Sequence, residues 1–277
     1  TTVRIPTPLF NILNGGKHAG DNTNFQEYMV IPASSKTYSE SLDMAIVLYN
    51  SLRKIMEQNN FVTLVGDEGG FAPKLQTNKD GLDLLKQAIE ATSFRYGFDV
   101  FLGLDAAATN FFQEGKYHIK DKTMPLSSDA LIEYYEELNK EFHLLYLEDP
   151  LAQDDWNGWS KIYSSISQQT LIVGDDLTAT NPYRLQMALD KKTITGIIIK
   201  PNQIGTVIEA IAVVEVARQA GIKIIVSHRS GETNDDFIAD FAVAVSADYV
   251  KFGAPVRGER VAKYNRLLAI EKEIKLL

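Results

Sequence analysis

The chain contains no cysteine, so neither a disulfide framework nor a thiolate metal site is open to it. That absence suits a reducing compartment, and a cytoplasmic protein is expected. No run of about 18 apolar residues occurs, and the opening residues do not read as a charged-then-apolar leader, so no membrane span is expected. Lysine- and arginine-rich blocks are missing as well. With a formal net charge of −8, nucleic acid is not the expected partner. There is no G-x-G-x-x-G turn, which counts against an open dinucleotide-binding sheet. What is present is 45% hydrophobic and 23% charged over 277 residues, enough to bury a large α/β core.

Residues 5–13 and 26–31 read as strands on either side of an Asn14-Gly15-Gly16 turn, a local antiparallel pair joined by a polar loop. Apolar positions at a 3.6-residue period predict helices over 39–58 and 78–95. From there, strands at 100–104, 144–147, 171–173, 197–199, 222–226 and 249–252 alternate with helices at 127–140, 155–165, 181–190, 206–220, 235–246 and 257–273. Ser127 or Ser128 and the Asn181-Pro182 pair supply helix starts. Two strands, two helices and six strand-helix units predict an α/β fold, a closed (β/α)8 TIM-type barrel that opens ββαα.

In such barrels the chemistry sits at the carboxyl ends of the strands. The residues found there are Asp105, Glu148-Asp149, Asp175-Asp176, Lys200, His228-Arg229 and Lys251. Each carboxylate alone could be a helix cap. Three in succession at one mouth need a neutralising charge, and Asp105, Glu148 and Asp175 are therefore expected to ligate a divalent cation. Magnesium suits an all-oxygen set, whereas zinc would draw on His or Cys. Asp149 and Asp176 read as supporting or capping groups.

Lys200 follows three buried isoleucines, where desolvation favours the neutral amine and makes it a candidate general base. A metal and a second ammonium, Lys251, would lower its pKa further, and both lysines are expected across the mouth from the carboxylates. Ser227-His228-Arg229-Ser230 offers an imidazole and a guanidinium fork for an anion. Gly66-Asp67-Glu68-Gly69-Gly70 can bring a carboxylate into the cleft on a glycine-flanked loop. His18 and Glu27 flank the first two strands, and their residue chemistry alone says little. Together the set suits proton abstraction next to a carboxylate with metal assistance.

These segments, with Asn14-Gly15-Gly16-Lys17-His18-Ala19, Asn202-Gln203-Ile204-Gly205 and Arg260-Val261-Ala262-Lys263-Tyr264-Asn265, run in the order seen in enolases. The chain closely resembles that family, whose superfamily is known for a lysine or histidine base working with one or two magnesium ions. The resemblance implies dehydration of 2-phosphoglycerate to phosphoenolpyruvate in glycolysis. On that reading Lys200 takes the C2 proton, and Glu68, assisted by Glu27, helps the C3 hydroxyl leave. Lys251 binds the substrate carboxylate, Arg229 and Ser230 hold the phosphate, and His18 and His228 close over the substrate. Asp105, Glu148 and Asp175 hold one Mg2+, and a second arrives with the phosphorylated hydroxy acid. The family's homodimer is a further implication.

Pro150, Pro201 and the run 106–110 depart from common family wording without removing a functional side chain. Enolases carry an α+β capping domain ahead of the barrel, whereas Thr1 stands only a few residues before the first strand. A single barrel domain over 1–277 without that cap is expected. The other readings are a catalytically weak barrel with a binding or scaffolding role and a different acid lyase of the superfamily. The complete set Glu68, His228, Arg229 and Lys251 counts against the second.

Overall fold

A computed structural model describes residues 4–276; Thr1 and Leu277, the ends of the expected domain span, lie outside that range. The chain opens with β1 (Thr7–Asn14), β2 (Glu27–Pro32), α1 (Tyr38–Gln58) and α2 (Lys79–Glu90). β3 (Val100–Asp105) leads through a two-stranded ribbon, β4 (Phe112–Gln113) with β5 (Lys116–Tyr117), to α3 (Ser128–Phe142). Then come β6 (Tyr146–Glu148), α4 (Trp156–Ile166), β7 (Leu171–Gly174), α5 (Pro182–Lys191) and β8 (Gly196–Ile199). A one-turn α6 (Pro201–Ile204), α7 (Val207–Gln219), β9 (Lys223–Ser227), α8 (Phe237–Ala244), β10 (Tyr249–Lys251) and α9 (Gly258–Ile274) complete it.

Eight strands close in the order β1-β10-β9-β8-β7-β6-β3-β2. β2 is antiparallel to both β1 and β3, and the other pairs are parallel. This is the expected TIM-type barrel with its ββαα opening. The caps follow from sequence: Ser127 Oγ accepts from Ala130 N, Asp155 from Gly158 N, and Asn181 from Tyr183 N and Arg184 N ahead of Pro182.

One helix boundary differs from expectation, and two short elements are additional. α2 stops at Glu90 and not near 95: Thr92 Oγ1 donates back to Ile89 O, and beyond it Asp99 accepts from the backbone N and the Nε of Arg95 ahead of β3. The ribbon β4–β5 and the short α6 escape a reading based on periodicity, since two to four residues define no period.

Side chains alternate along each strand between two buried clusters. Outward residues such as Phe10, Val30, Leu102, Leu147, Ile172, Ile197, Ile199, Val226 and Val250 meet the helices. Inward residues Leu9, Met29, Ile31, Tyr146, Val173, Ile198 and Ile225 fill the barrel with Phe101, Leu171 and Tyr249 packed against them. Two residues further toward the carboxyl mouth, Asn11, Glu148, Asp175, Lys200, Ser227 and Lys251 stand above Leu9, Tyr146, Val173, Ile198, Ile225 and Tyr249, and on β3 Asp105 stands two residues beyond Gly103. β2 runs the other way, and its Glu27 stands two residues before Met29.

Candidate active site

Glu27, Asp105 and Glu148 are register partners across β2, β3 and β6, so three carboxylates stand in one row. All are at most 2% exposed. Lys251, from β10, reaches over the barrel floor to this row: its Nζ lies 2.7 Å from Glu148 Oε1, 3.2 Å from Glu27 Oε1 and 3.3 Å from Asp105 Oδ2. Burial disfavours its charge, but Glu148, Glu27 and Asp105 outweigh that and hold its pKa well above the ordinary range. Burial pushes Glu148 up to about 8, Asp105 adds to the rise, and Lys251 opposes it. The phenol of Tyr146 donates to Glu148 Oε2.

Lys200 does not stand across the mouth from all the carboxylates. β8 neighbours β7, and the Lys200 ammonium pairs with Asp175. Burial and Lys251 both act to lower the Lys200 pKa as expected, yet the adjacent Asp175 wins and raises it. While Asp175 is paired to it and not shared with a cation, the ammonium form of Lys200 is favoured. Asp149 accepts from the backbone N–H groups of Asp175 and Asp176 at 3.1 and 2.7 Å, the supporting role expected of it.

Glu68 arrives on the 66–70 loop. Gly70 lets that loop lie against β1: a Cβ there would stand 2.6 Å from Asn14 Oδ1 and 3.0 Å from Leu13 N. Glu68 Oε2 accepts from Asn11 Nδ2 at 2.9 Å, and its Oε1 lies 3.1 Å from His228 Nε2 and 3.6 Å from His18 Nδ1. Burial opposes its charge, but His228 and His18 hold its pKa well below the usual range. Glu27 goes the other way, raised by burial and then by Glu68 despite Lys251. The two carboxyls are thus set apart, the proton favouring Glu27.

Lys251, Lys200, Asp175, Asp149, Asp105, Glu27, Glu68, His18 and His228 face one cavity of about 350 Å3 at the strand ends, and Glu148, Tyr146 and Asn11 lie behind its wall. Arg229 and Ser230 line its rim, both exposed. Arg229 is placed by Glu232, which accepts from its backbone N at 2.9 Å and pairs with Lys263 at 2.8 Å. A smaller cavity of about 210 Å3 at the amino ends of the strands has Arg4, Lys36 and Lys223 on its wall, but Asp248 and Asp99 already pair with them.

The donor chemistry of Asp105, Glu148 and Asp175 fits a hard cation: the set is all oxygen, and the buried Asp175 Oδ1 has no hydrogen-bond partner. The ammonium groups of Lys251 and Lys200 now neutralise that set. Among the described residues the three are not drawn together as closely as His18, Glu27 and Glu68, whose donor atoms lie within 4.8 Å of one another.

The model of the enolase C-terminal TIM barrel domain matches residues 2–276. An enolase of Acidothermus cellulolyticus is 44% identical over 270 residues, covering 98% of this chain. The chain belongs to the enolase family. It spans 62% of the length of that relative. Among the described residues of this enolase barrel, no helix is long and apolar enough to cross a membrane.

Three groups of the site were given no role from sequence: Asn11, and Ser227 and Arg260, which appear there only within longer segments. Asn11 sits mid-strand because β1 runs on, through a bulge, to Asn14, so a search of strand ends passes it by. Ser227 has the inward parity that His228 lacks. Arg260, 1% exposed on α9, donates to Arg229 O and Ser230 O and, from the same fork, to Asp67 O. Its Nη1 also meets His228 Nδ1 at 2.7 Å. Only the inward alternation, counted along each strand, could have signalled the first two.

Proposed function

We propose that this barrel, one domain over 1–277, dehydrates 2-phosphoglycerate to phosphoenolpyruvate. The observation that supports it most is an opposed pair. Lys200 and Glu27 project from β8 and β2, diametrically opposite in the ring, over one cavity, with Glu68 and two imidazoles on the Glu27 side. A base on one face and a proton-holding carboxyl pair on the other suit removal of C2–H and C3–OH from opposite sides of a small acid.

In this reading Lys200 Nζ takes the C2 proton and the C–H electrons form the C2–C3 double bond. The C3–O bond breaks, and the leaving hydroxide takes the proton shared by Glu27 and Glu68 to depart as water. Asp105, Glu148 and Asp175 would hold Mg2+, with a second ion arriving with substrate. Magnesium, when bound, supplies positive charge beside the carboxylate next to which the proton is removed. Once Asp175 is shared with a cation it no longer holds the Lys200 proton, and burial with Lys251 then favours the free amine. Lys251 also suits the substrate carboxylate, Arg229 and Ser230 its phosphate, and His18 and His228 the closure over it. A glycolytic role, a cytoplasmic site and a homodimer belong to the same proposal.

The test is the appearance of phosphoenolpyruvate absorbance from 2-phosphoglycerate and Mg2+, with Lys200→Ala alongside. Lysine-dependent turnover is expected, with a loss of at least a hundredfold in the variant. Turnover that Lys200→Ala leaves intact would overturn the assignment of the base. No turnover with both ligands bound would reduce the proposal to a binding function.

A further inference from the structure

Among the described residues, Tyr146 is the one fully buried member of the inner apolar cluster that carries a hydroxyl; the others are Leu9, Met29, Ile31, Val173, Ile198 and Ile225, with the partly exposed Tyr249 packed against them. A phenol in such a layer needs a partner, since a buried hydroxyl left without one is costly. It finds Glu148 Oε2, two residues along the same strand and wholly buried. Space for the ring comes from the next strand. Gly103 is its register partner, and a Cβ there would stand 3.1 Å from Tyr146 Cβ and 3.0 Å from Ile31 Cδ1. The glycine two residues below Asp105 and the tyrosine two residues below Glu148 thus make a size-matched pair under the carboxylates.

The consequence concerns Glu148. Its Oε1 is held by Lys251 from across the barrel at 2.7 Å and its Oε2 by Tyr146 from below, so the carboxylate plane is fixed by two donors on different strands. Each oxygen keeps a further lone pair for another partner. We propose that Tyr146 is a positioning residue that orients Glu148 toward the mouth and sets the affinity of the Asp105–Glu148–Asp175 cluster for a divalent cation. The inference rests on the magnesium reading above and extends it to a residue that touches neither substrate nor cation. Groups that hydrogen-bond a ligating carboxylate from behind typically change metal affinity by about 10–100-fold when removed.

Tyr146→Phe keeps the ring and deletes the hydroxyl. Mn2+ binding to the full chain, followed by the EPR signal of the free ion, is expected to weaken at least tenfold, with the melting temperature of the metal-free protein within a few degrees of wild type. Ile225→Val, which trims the same layer away from Glu148, should lower the melting temperature and leave Mn2+ affinity unchanged. Equal weakening in both variants, or unchanged Mn2+ affinity in Tyr146→Phe, overturns the positioning role. Glu148→Gln separates the two levels. If it binds Mn2+ as tightly as wild type, or if wild type binds none, the cation reading fails and the inference falls with it.

Discussion

Lys251 is a buried ammonium facing three buried carboxyl groups, Glu27, Asp105 and Glu148, and removing the ammonium leaves them without their neutralising partner. Taking one partner from a buried ion cluster typically costs about 3–5 kcal/mol, because the charges left behind keep their desolvation penalty. Lys251→Met is therefore expected to lose about that much stability in urea denaturation with EDTA present. Added Mg2+ should recover more stability in the variant than in wild type, since the uncompensated carboxylates then have only the ion to neutralise them. A variant as stable as wild type, or indifferent to Mg2+, would show that the carboxyls simply take up protons. At this scale the sequence was legible wherever a strand ended in a charged residue. Asn11 was not, being hidden mid-strand, and neither was the charge state of Lys200, which depends on the spatial neighbour Asp175.

Between elements, α9 secures both ends of the barrel's function. Near its carboxyl end Glu271 accepts from Tyr38 N at 2.8 Å and Ser39 N at 3.5 Å, the first two amides of α1, while Thr37 takes the amide of Glu40. Burial works against the Glu271 charge, but the bonds from Ser39 and Tyr38 prevail and lower its pKa below 4.5. A carboxyl lowered on folding adds stability above its unfolded pKa and loses it as pH falls through the folded one. Glu271→Gln should thus cost about 1–2 kcal/mol at pH 7, and the difference from wild type should vanish as the pH drops below about 4. A gap that persists in acid would assign the loss to packing.

At the other end of α9, Arg260 ties Asp67 O of the Glu68 loop to Arg229 O and Ser230 O of the loop after β9. Arg260→Lys keeps a charge but loses the fork, so the two loops part company. Turnover is expected to fall at least tenfold, mainly in kcat, while far-UV CD stays unchanged. An effect confined to KM would place Arg260 in substrate binding only.

Across the whole molecule, the barrel was readable because six buried strands each precede a helix, four of them (α3, α4, α5 and α7) with a side-chain cap, a regularity that survives errors of a few residues at any boundary. The ribbon β4–β5 was not, since two-residue strands define no period; the loop that carries Glu68 was legible from its glycines, but its packing against β1 was not. A cation on the proposed Asp105–Glu148–Asp175 cluster would report on global stability, because those residues come from three neighbouring strands, β3, β6 and β7, or the turn just after them. A cation at about 100 times its Kd stabilises by about 2.7 kcal/mol. It should move the urea midpoint without changing the slope. The pH dependence has a definite sign. Burial and Asp105 raise Glu148 from 4.5 to about 8, so in the metal-free protein this carboxyl favours the folded state at low pH and ceases to do so as pH rises toward 8. Cation binding requires the ionised form. The stabilisation by Mg2+ at fixed concentration should therefore increase from pH 6 to pH 8, by up to about 1.4 kcal/mol per pH unit for one linked proton, and level off above. Glu148→Gln should abolish that slope. A Mg2+ effect that is flat across the range would mean that the ion meets an already ionised cluster, and that Lys251, not a proton, carries the compensating charge.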